Sequence, residues 1–218
     1  MSLRDLTILS TVVISTSFLA MLYVACVEEM VECNINGSGS IVIPTISDVI
    51  AQPFFDRIFI FLNTCYFMGV HQVSVRSYYK RLYDSAIDFR ENYILFYVGM
   101  TSCISLPMIG IFDCYNYKPL HFLFAGLFFL SAGFYSYKIS NLMYEKKRFF
   151  PESDHGAIDL SYNLSYLMLG IILALIVSAV TLGTSFWVTP AIEWVAVFLN
   201  MNYFSFINLS NPFYDSVH

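Results

Sequence analysis

The residues of this chain that could carry chemistry are ionisable side chains placed beside long apolar segments. Five of them form a candidate polar or lipid-headgroup cluster: Asp48, Arg57, Asp113, His121 and Glu193. Ionisable groups at membrane depth are costly, so each one invites a functional interpretation. A ligand or headgroup site is one interpretation. The commoner one is an ion-paired network that closes the helix ends where they meet water.

No residue pattern indicates an enzyme. His121 could act as a base, but a base needs a reacting partner within reach, and no motif places a Ser or Cys beside it. The nucleophile elbow, H-E-x-x-H, P-loop and dinucleotide signatures are absent. An enzyme acting on lipid acyl groups would require Glu193 and His121 to converge on a lipid-accessible cavity. We therefore predict a non-catalytic protein without a cofactor.

Two other features could bind ligands or set topology. The run Lys146-Lys147-Arg148 could contact anionic lipid, although such runs more often only determine topology. The five cysteines contain no C-x-x-C and no cluster at metal-ligand spacing, which predicts no metal site. Cys33 and Cys114 fall on the same predicted side of the membrane and could pair in an oxidising compartment, but sequence does not fix the pairing.

The composition predicts an integral membrane protein. With 57% apolar and 12% charged residues and a mean hydropathy of +0.63, the chain has too little polar surface for a water-soluble particle. The net charge of -5 includes no tract that would bind nucleic acid. Apolar runs of about 20 residues predict a single domain, residues 1–218, of six transmembrane helices. Their approximate bounds are 6–27, 54–75, 93–112, 120–140, 164–186 and 191–209.

The positive charges predict the orientation of this all-α bundle. Of the 11 Lys and Arg residues, only Arg57 and Lys118 lie on the far side of the six-span arrangement. Lys and Arg are retained on the side of insertion, so both termini are expected on the cytoplasmic or matrix side. The longest far-side connection, residues 28–53, forms one external loop. Its Asn36-Gly37-Ser38 is a glycosylation acceptor if the loop enters the secretory pathway.

Three segments resemble a known family. They are Pro44-Thr45-Ile46-Ser47-Asp48 with Pro53 and Ile58-Phe59; Gly99 through Leu106 with Gly110-Ile111-Phe112, His121, Ala125 and Gly126; and Ala191-Ile192-Glu193-Trp194. Together they resemble the six-span FRAG/DRAM/SFK-type family of the FGF-receptor-activating protein, the damage-regulated autophagy modulators and proteins of GPI-anchor remodelling. One departure is that Val49-Ile50-Ala51 follows the Ser-Asp pair, where the family usually has glycine.

Two functions therefore remain open. The first is a structural or accessory, lipid-contacting subunit of a larger membrane complex, for example one of respiratory-chain type, because no chemical site is visible. The second, which the resemblance implies, is an endomembrane modulator of lipid remodelling, GPI-anchor maturation or autophagy. Both predict bound phospholipids, and the first predicts other membrane-protein subunits as partners. The sequence does not distinguish the mitochondrial inner membrane from the Golgi, lysosome or endoplasmic reticulum.

Overall fold

The computed structural model describes residues 3–33, 42–84, 89–150, 152, 155–183 and 187–209, and no β-strand occurs among them. A π-helical segment, Thr64–His71, joins α3 to α4 without a break, and a 3-10 turn, Lys147–Phe149, follows α6. The α-helices of this part of the chain are α1 (Leu3–Val27), α2 (Ile46–Ile50), α3 (Phe55–Asn63), α4 (Gln72–Asp84), α5 (Phe89–Ile111), α6 (Lys118–Glu145), α7 (His155–Thr181) and α8 (Val188–Leu209).

Within the part of the chain that the structure describes, five helical stretches are long and apolar enough to cross a membrane. They contain 23 to 28 residues each: Asp5–Val27, Phe55–Lys80, Phe89–Ile111, Lys118–Glu145 and His155–Thr181. At about 1.5 Å per residue, each exceeds a hydrocarbon core of about 30 Å. α8, which has 22 residues and contains Glu193, Asn200 and Asn202, is not among these five stretches. The prediction of an all-helical membrane protein is confirmed, whereas six spans and their orientation stay predictions.

The long helices pack as a closed ring. α5 contacts α6, α6 contacts α7, and α7 contacts α8, while α1 lies between α8 and the π-helical segment. α3 and α4 both pack against α5 and complete the ring. Gly110 allows one close approach, because a Cβ there would lie 2.8 Å from Phe59. Small residues at such crossings bring membrane helices into van der Waals contact.

The cysteine pairing differs from the one considered above. Cys33 is bonded to Cys26, with a Cα–Cα distance of 5.4 Å, and Cys114 is a free thiol. The physical reason is the tight chain reversal after α1. Glu29 adopts a left-handed backbone conformation (φ 54°), and the amide of Met30 donates to the carbonyl of Ala25. This turn brings Cys33 back to the last turn of α1, so a Cys33–Cys114 disulfide is excluded.

Candidate functional site

The short helix α2 presents the polar residues of the site. Thr45 is its N-cap: the Thr45 hydroxyl accepts from the amide of Asp48 (2.9 Å), and the amide of Thr45 donates to the Asp48 carboxylate (3.1 Å). This reciprocal capping box satisfies two backbone donors that a helix start leaves unpaired. Ile46, Val49 and Ile50 are buried in the core. The capped start and the apolar face thus fix the direction in which Ser47 and Asp48 project.

Trp194 ties the segment before α2 to α8. Its indole Nε1–H donates to the carbonyl of Pro44 over 2.9 Å, and the side chain is only 8% exposed. The ring also stacks on Phe198, with centroids 5.8 Å apart. A buried carbonyl that lost this donor would have an unmet hydrogen-bonding requirement. The aromatic residue next to Glu193 therefore holds the α2 segment against the helix that carries Glu193.

Ser47, His121 and Glu193 meet at one point. The Ser47 hydroxyl lies 2.8 Å from Nε2 of His121 and 3.3 Å from Oε1 of Glu193. The backbone amides of Ile46 and Ser47 also donate toward the Glu193 carboxylate. His121 is 1% exposed, whereas Ser47 and Glu193 are partly exposed. Three helices, α2, α6 and α8, are joined by this contact.

The hydrogen-bond partners constrain the protons of this trio. Nδ1 of His121 faces the carbonyls of Phe112 (2.9 Å) and Ile109 (3.2 Å), so Nδ1 must donate. The single Ser47 proton can be donated either to Oε1 of Glu193 or to Nε2 of His121. In both arrangements the Ser47 hydroxyl links His121 to Glu193.

A groove of about 620 Å³ begins at this trio and runs between α6 and α7. Its apolar part includes Phe122 and Leu130 of α6 and Val180 of α7, which are 50%, 58% and 81% exposed. From Lys118 to Leu130 it follows α6 for about 18 Å, close to the half-thickness of a hydrocarbon core of about 30 Å. The groove is open on its outer side, toward the surface that lipid would cover.

The polar end of the groove contains Asp48, Tyr115 and Lys118. The Tyr115 hydroxyl donates to the Asp48 carboxylate over 3.4 Å. Burial and then the Asp48 charge raise the pKa of this phenol. The thiol of Cys114 donates to the Ser47 carbonyl (3.4 Å), and burial, followed by the charges of Asp48 and Asp113, raises its pKa to about 11. The polar end therefore has a negative potential near Asp48.

The structure brings together three of the five predicted cluster residues: Asp48, His121 and Glu193 line the groove. Arg57 is exposed on α3 and does not line it, and the neighbouring Asp56 accepts from the amide of Arg57 (2.7 Å). Asp113 turns the chain between α5 and α6. Burial would raise the pKa of Asp113, but donors from Asn116 and Tyr115 outweigh it and lower that pKa.

The basic run lies elsewhere. Lys147 forms an ion pair with Asp159 of α7 (2.6 Å), so its charge is already partly neutralised within the bundle. Arg148 is exposed and Lys146 caps the end of α6. None of the three lines the groove. Contact of Lys146, Lys147 and Arg148 with anionic lipid stays a prediction.

Ser47 is the site residue that sequence reasoning missed. It belongs to the Pro44–Asp48 motif, but it approaches His121 across 74 residues of chain, and no local spacing indicates that contact. The Trp194–Pro44 bond, across 150 residues, was likewise not foreseeable from spacing. Among the described residues, no group of three or more His, Cys, Asp or Glu side chains could hold a metal ion. The arrangement provides hydrogen bonds and charges at the mouth of an apolar groove.

The chain matches the model of a known protein family. Residues 2–209 match the family model described as the Frag1/DRAM/Sfk1/Cwh43P N-terminal domain. No curated protein and no solved structure matches the chain. The match covers nearly the whole chain and includes all three segments on which the resemblance rests, α2 and Glu193 among them. The chain therefore belongs to the Frag1/DRAM/Sfk1/Cwh43P family.

Proposed function

We propose that this protein is a non-catalytic modulator of endomembrane lipids, which binds one phospholipid in the groove between α6 and α7. The observation that carries the proposal is the groove itself, apolar along a leaflet-deep path and polar at one end. Its volume, about 620 Å³, lies within the usual range of about 300–1,000 Å³ for small-molecule sites. Such a groove accommodates an acyl chain beside the bundle and a headgroup at α2.

Family membership supports a membrane modulator over an accessory subunit of a respiratory complex. The processes that the resemblance implies for such a modulator are lipid remodelling, GPI-anchor maturation and autophagy. Each of them involves lipids of the endomembrane system, and the groove supplies a physical means of contact with a lipid.

The disulfide supports the proposed compartment. Cys26–Cys33 lies at the α2 end of the bundle, and disulfides persist mainly in oxidising compartments such as the secretory lumen. The scarcity of Lys and Arg at that end agrees with a lumenal or external face. Asn36, whose glycosylation would provide further support, lies outside the described residues. Cysteines engineered at Gly39 and Ser153 should be labelled from opposite sides of the membrane, and labelling from one side would refute the six-span orientation.

The surroundings of Ser47 support binding rather than acyl transfer. A serine nucleophile needs donors for the oxyanion that forms on its substrate, and backbone amides are the usual ones. Here the amides of Ile46 and Ser47 are directed at Glu193 instead. Nδ1 of His121 meets backbone carbonyls and not a carboxylate. The trio is therefore best suited to fixing α2 and shaping the headgroup end.

Gly126 provides a test that leaves the fold intact. It lines the groove on α6, and a Cβ added there meets no atom within 4 Å. Gly126→Leu should fill the groove, and leucine also favours a helix by up to about 1 kcal/mol relative to glycine. Gly170 of α7 is the matched control, because its Cβ position is equally open and it does not line the groove.

The measurement is the number of phospholipids that remain bound when the protein is released from nanodiscs for native mass spectrometry. The wild type and Gly170→Leu should retain a lipid that Gly126→Leu loses. Equal retention by all three proteins would refute occupation of the groove.

A further inference from the structure

We propose that the groove selects a zwitterionic phospholipid, in which a phosphate is joined to an ammonium group. This inference rests on the proposed function and adds the class of headgroup. It follows from the charged side chains that line the polar end and form no ion pair among the described residues. The Glu193 carboxylate is already held by the Ser47 hydroxyl and by the backbone amides of Ile46 and Ser47.

Asp48 and Lys118 are two oppositely charged residues at the mouth of the groove. Both line it, and neither forms an ion pair within the part of the chain that the structure describes. One carboxylate and one ammonium present both signs on a single rim. A lipid that carries a phosphate and an ammonium can meet both at once. A purely anionic headgroup has no ammonium group of its own to face Asp48, so its negative charge would be repelled by that carboxylate.

The two rim charges have different surroundings, which gives the headgroup a direction. Lys118 begins α6, a helix of 28 residues whose N-terminal dipole also favours a phosphate. Asp48 is hydrogen-bonded to Tyr115, whose side chain is 63% exposed. A carboxylate next to an exposed aromatic ring is a suitable place for an ammonium group. The phosphate therefore lies toward α6 and the ammonium toward α2.

The apolar part of the groove cannot make this selection. A lipid that moves from the bilayer into the groove exchanges one apolar environment for another, because lipid tails are as apolar as Leu side chains. Tail contacts are thus similar for every phospholipid with the same acyl chains. Discrimination between lipids of matched chains must come from Asp48, Tyr115 and Lys118.

The test uses nanodiscs containing equal amounts of phosphatidylethanolamine, phosphatidylcholine and phosphatidylglycerol with identical acyl chains. The wild-type protein should retain the two zwitterionic lipids over phosphatidylglycerol by roughly five-fold, the effect of one partly exposed ion pair. The relative retention of phosphatidylethanolamine and phosphatidylcholine shows which contact holds the ammonium group. An excess of ethanolamine indicates hydrogen bonds to Asp48, and an excess of choline indicates stacking on Tyr115; either result supports the proposal.

Two variants have opposite expected effects. Asp48→Asn keeps a polar side chain at the cap but removes the negative charge, so phosphatidylglycerol should become as well retained as the zwitterions. Lys118→Gln should lower retention of all three lipids, and it does not touch α2. Matched controls are Asp56→Asn and Arg57→Gln, which remove the same charge types outside the groove and should leave the selectivity unchanged.

Three results would each overturn the inference. The wild type could retain the lipids in their bulk proportions, or it could prefer phosphatidylglycerol. The control variants could also shift the selectivity as much as the groove variants do. The Gly126→Leu result distinguishes the two levels of failure. If that variant loses lipid while the wild type shows no headgroup preference, the groove binds lipid without the proposed selectivity. If it loses none, groove occupation itself fails.

Discussion

Replacing Glu193 with glutamine tests whether this carboxylate holds α2 against α8. The partners directed at it are the Ser47 hydroxyl and the backbone amides of Ile46 and Ser47, all of which can donate. Glutamine exchanges one acceptor oxygen for an NH₂ donor and removes the charge. We therefore expect Glu193→Gln to loosen α2 while the long helices stay folded.

The size of the effect follows from three contacts. A hydrogen bond to a charged group contributes about 1.5–3 kcal/mol, and one between neutral groups about 1 kcal/mol. Loss of the charge weakens each contact, but it also removes repulsion between Glu193 and Asp48. We expect a net cost of about 1–3 kcal/mol, which raises the population of detached α2 by about 5- to 150-fold.

Amide hydrogen exchange of the protein in nanodiscs measures this population directly, because exchange of α2 amides requires local opening. The peptide containing Ile46–Ile50 should exchange faster by that factor, and peptides from α5 and α7 should not change. Glu91→Gln is the control, since Glu91 contacts Lys138 over 3.4 Å and its side chain is 40% exposed. Unchanged exchange in α2, or a uniform increase in every helix, would refute the anchoring role.

Three further results are expected. Iodoacetamide should alkylate Cys114 about 100-fold more slowly at pH 8 than an ordinary thiol, because its pKa is about 11; a rate that levels off near pH 8.5 would contradict this. Gly110→Ala should lower thermal stability in detergent by about 1–3 kcal/mol, since its Cβ would lie 2.8 Å from Phe59, whereas Gly126→Ala should raise it by up to about 1 kcal/mol. A fluorophosphonate probe should leave Ser47 unlabelled, and labelling that depends on His121 would indicate an enzyme.

The helices could be predicted from sequence because length and apolarity alone determine which segments can cross a bilayer. The ends of the helices are harder to predict from the sequence. α7 begins at His155, well before the predicted Leu164, because its first turns stand outside the apolar run. Hydropathy does not reveal the π-helical segment Thr64–His71, because the same residues are equally hydrophobic in a π-helix and in an α-helix. The Cys26–Cys33 bond depends on a turn that composition does not reveal.

For the site, the sequence predicts only the position along the membrane normal. Charged residues at the far-side helix ends share that position, which predicts one layer containing Asp48, Arg57, Asp113, His121 and Glu193. The position along the membrane normal gives no information on the direction in which each side chain points around the ring of helices. The charge pattern therefore could not show that Arg57 and Asp113 do not line the groove, nor that the uncharged Ser47 does.

The position of α2 and the proposed headgroup selectivity are physically linked, because Asp48 lies on α2. His121 and Glu193 position α2 through Ser47. Asp48 on α2 and Lys118 on α6 line the mouth of the groove, where we propose that they meet a headgroup. The distance between the two rim charges is therefore set by the anchor and by the Trp194–Pro44 bond. A change that releases α2 should reduce headgroup selectivity even with Asp48 intact. Occupation of the apolar path beside Gly126 does not depend on α2, so lipid binding should persist after selectivity has been lost.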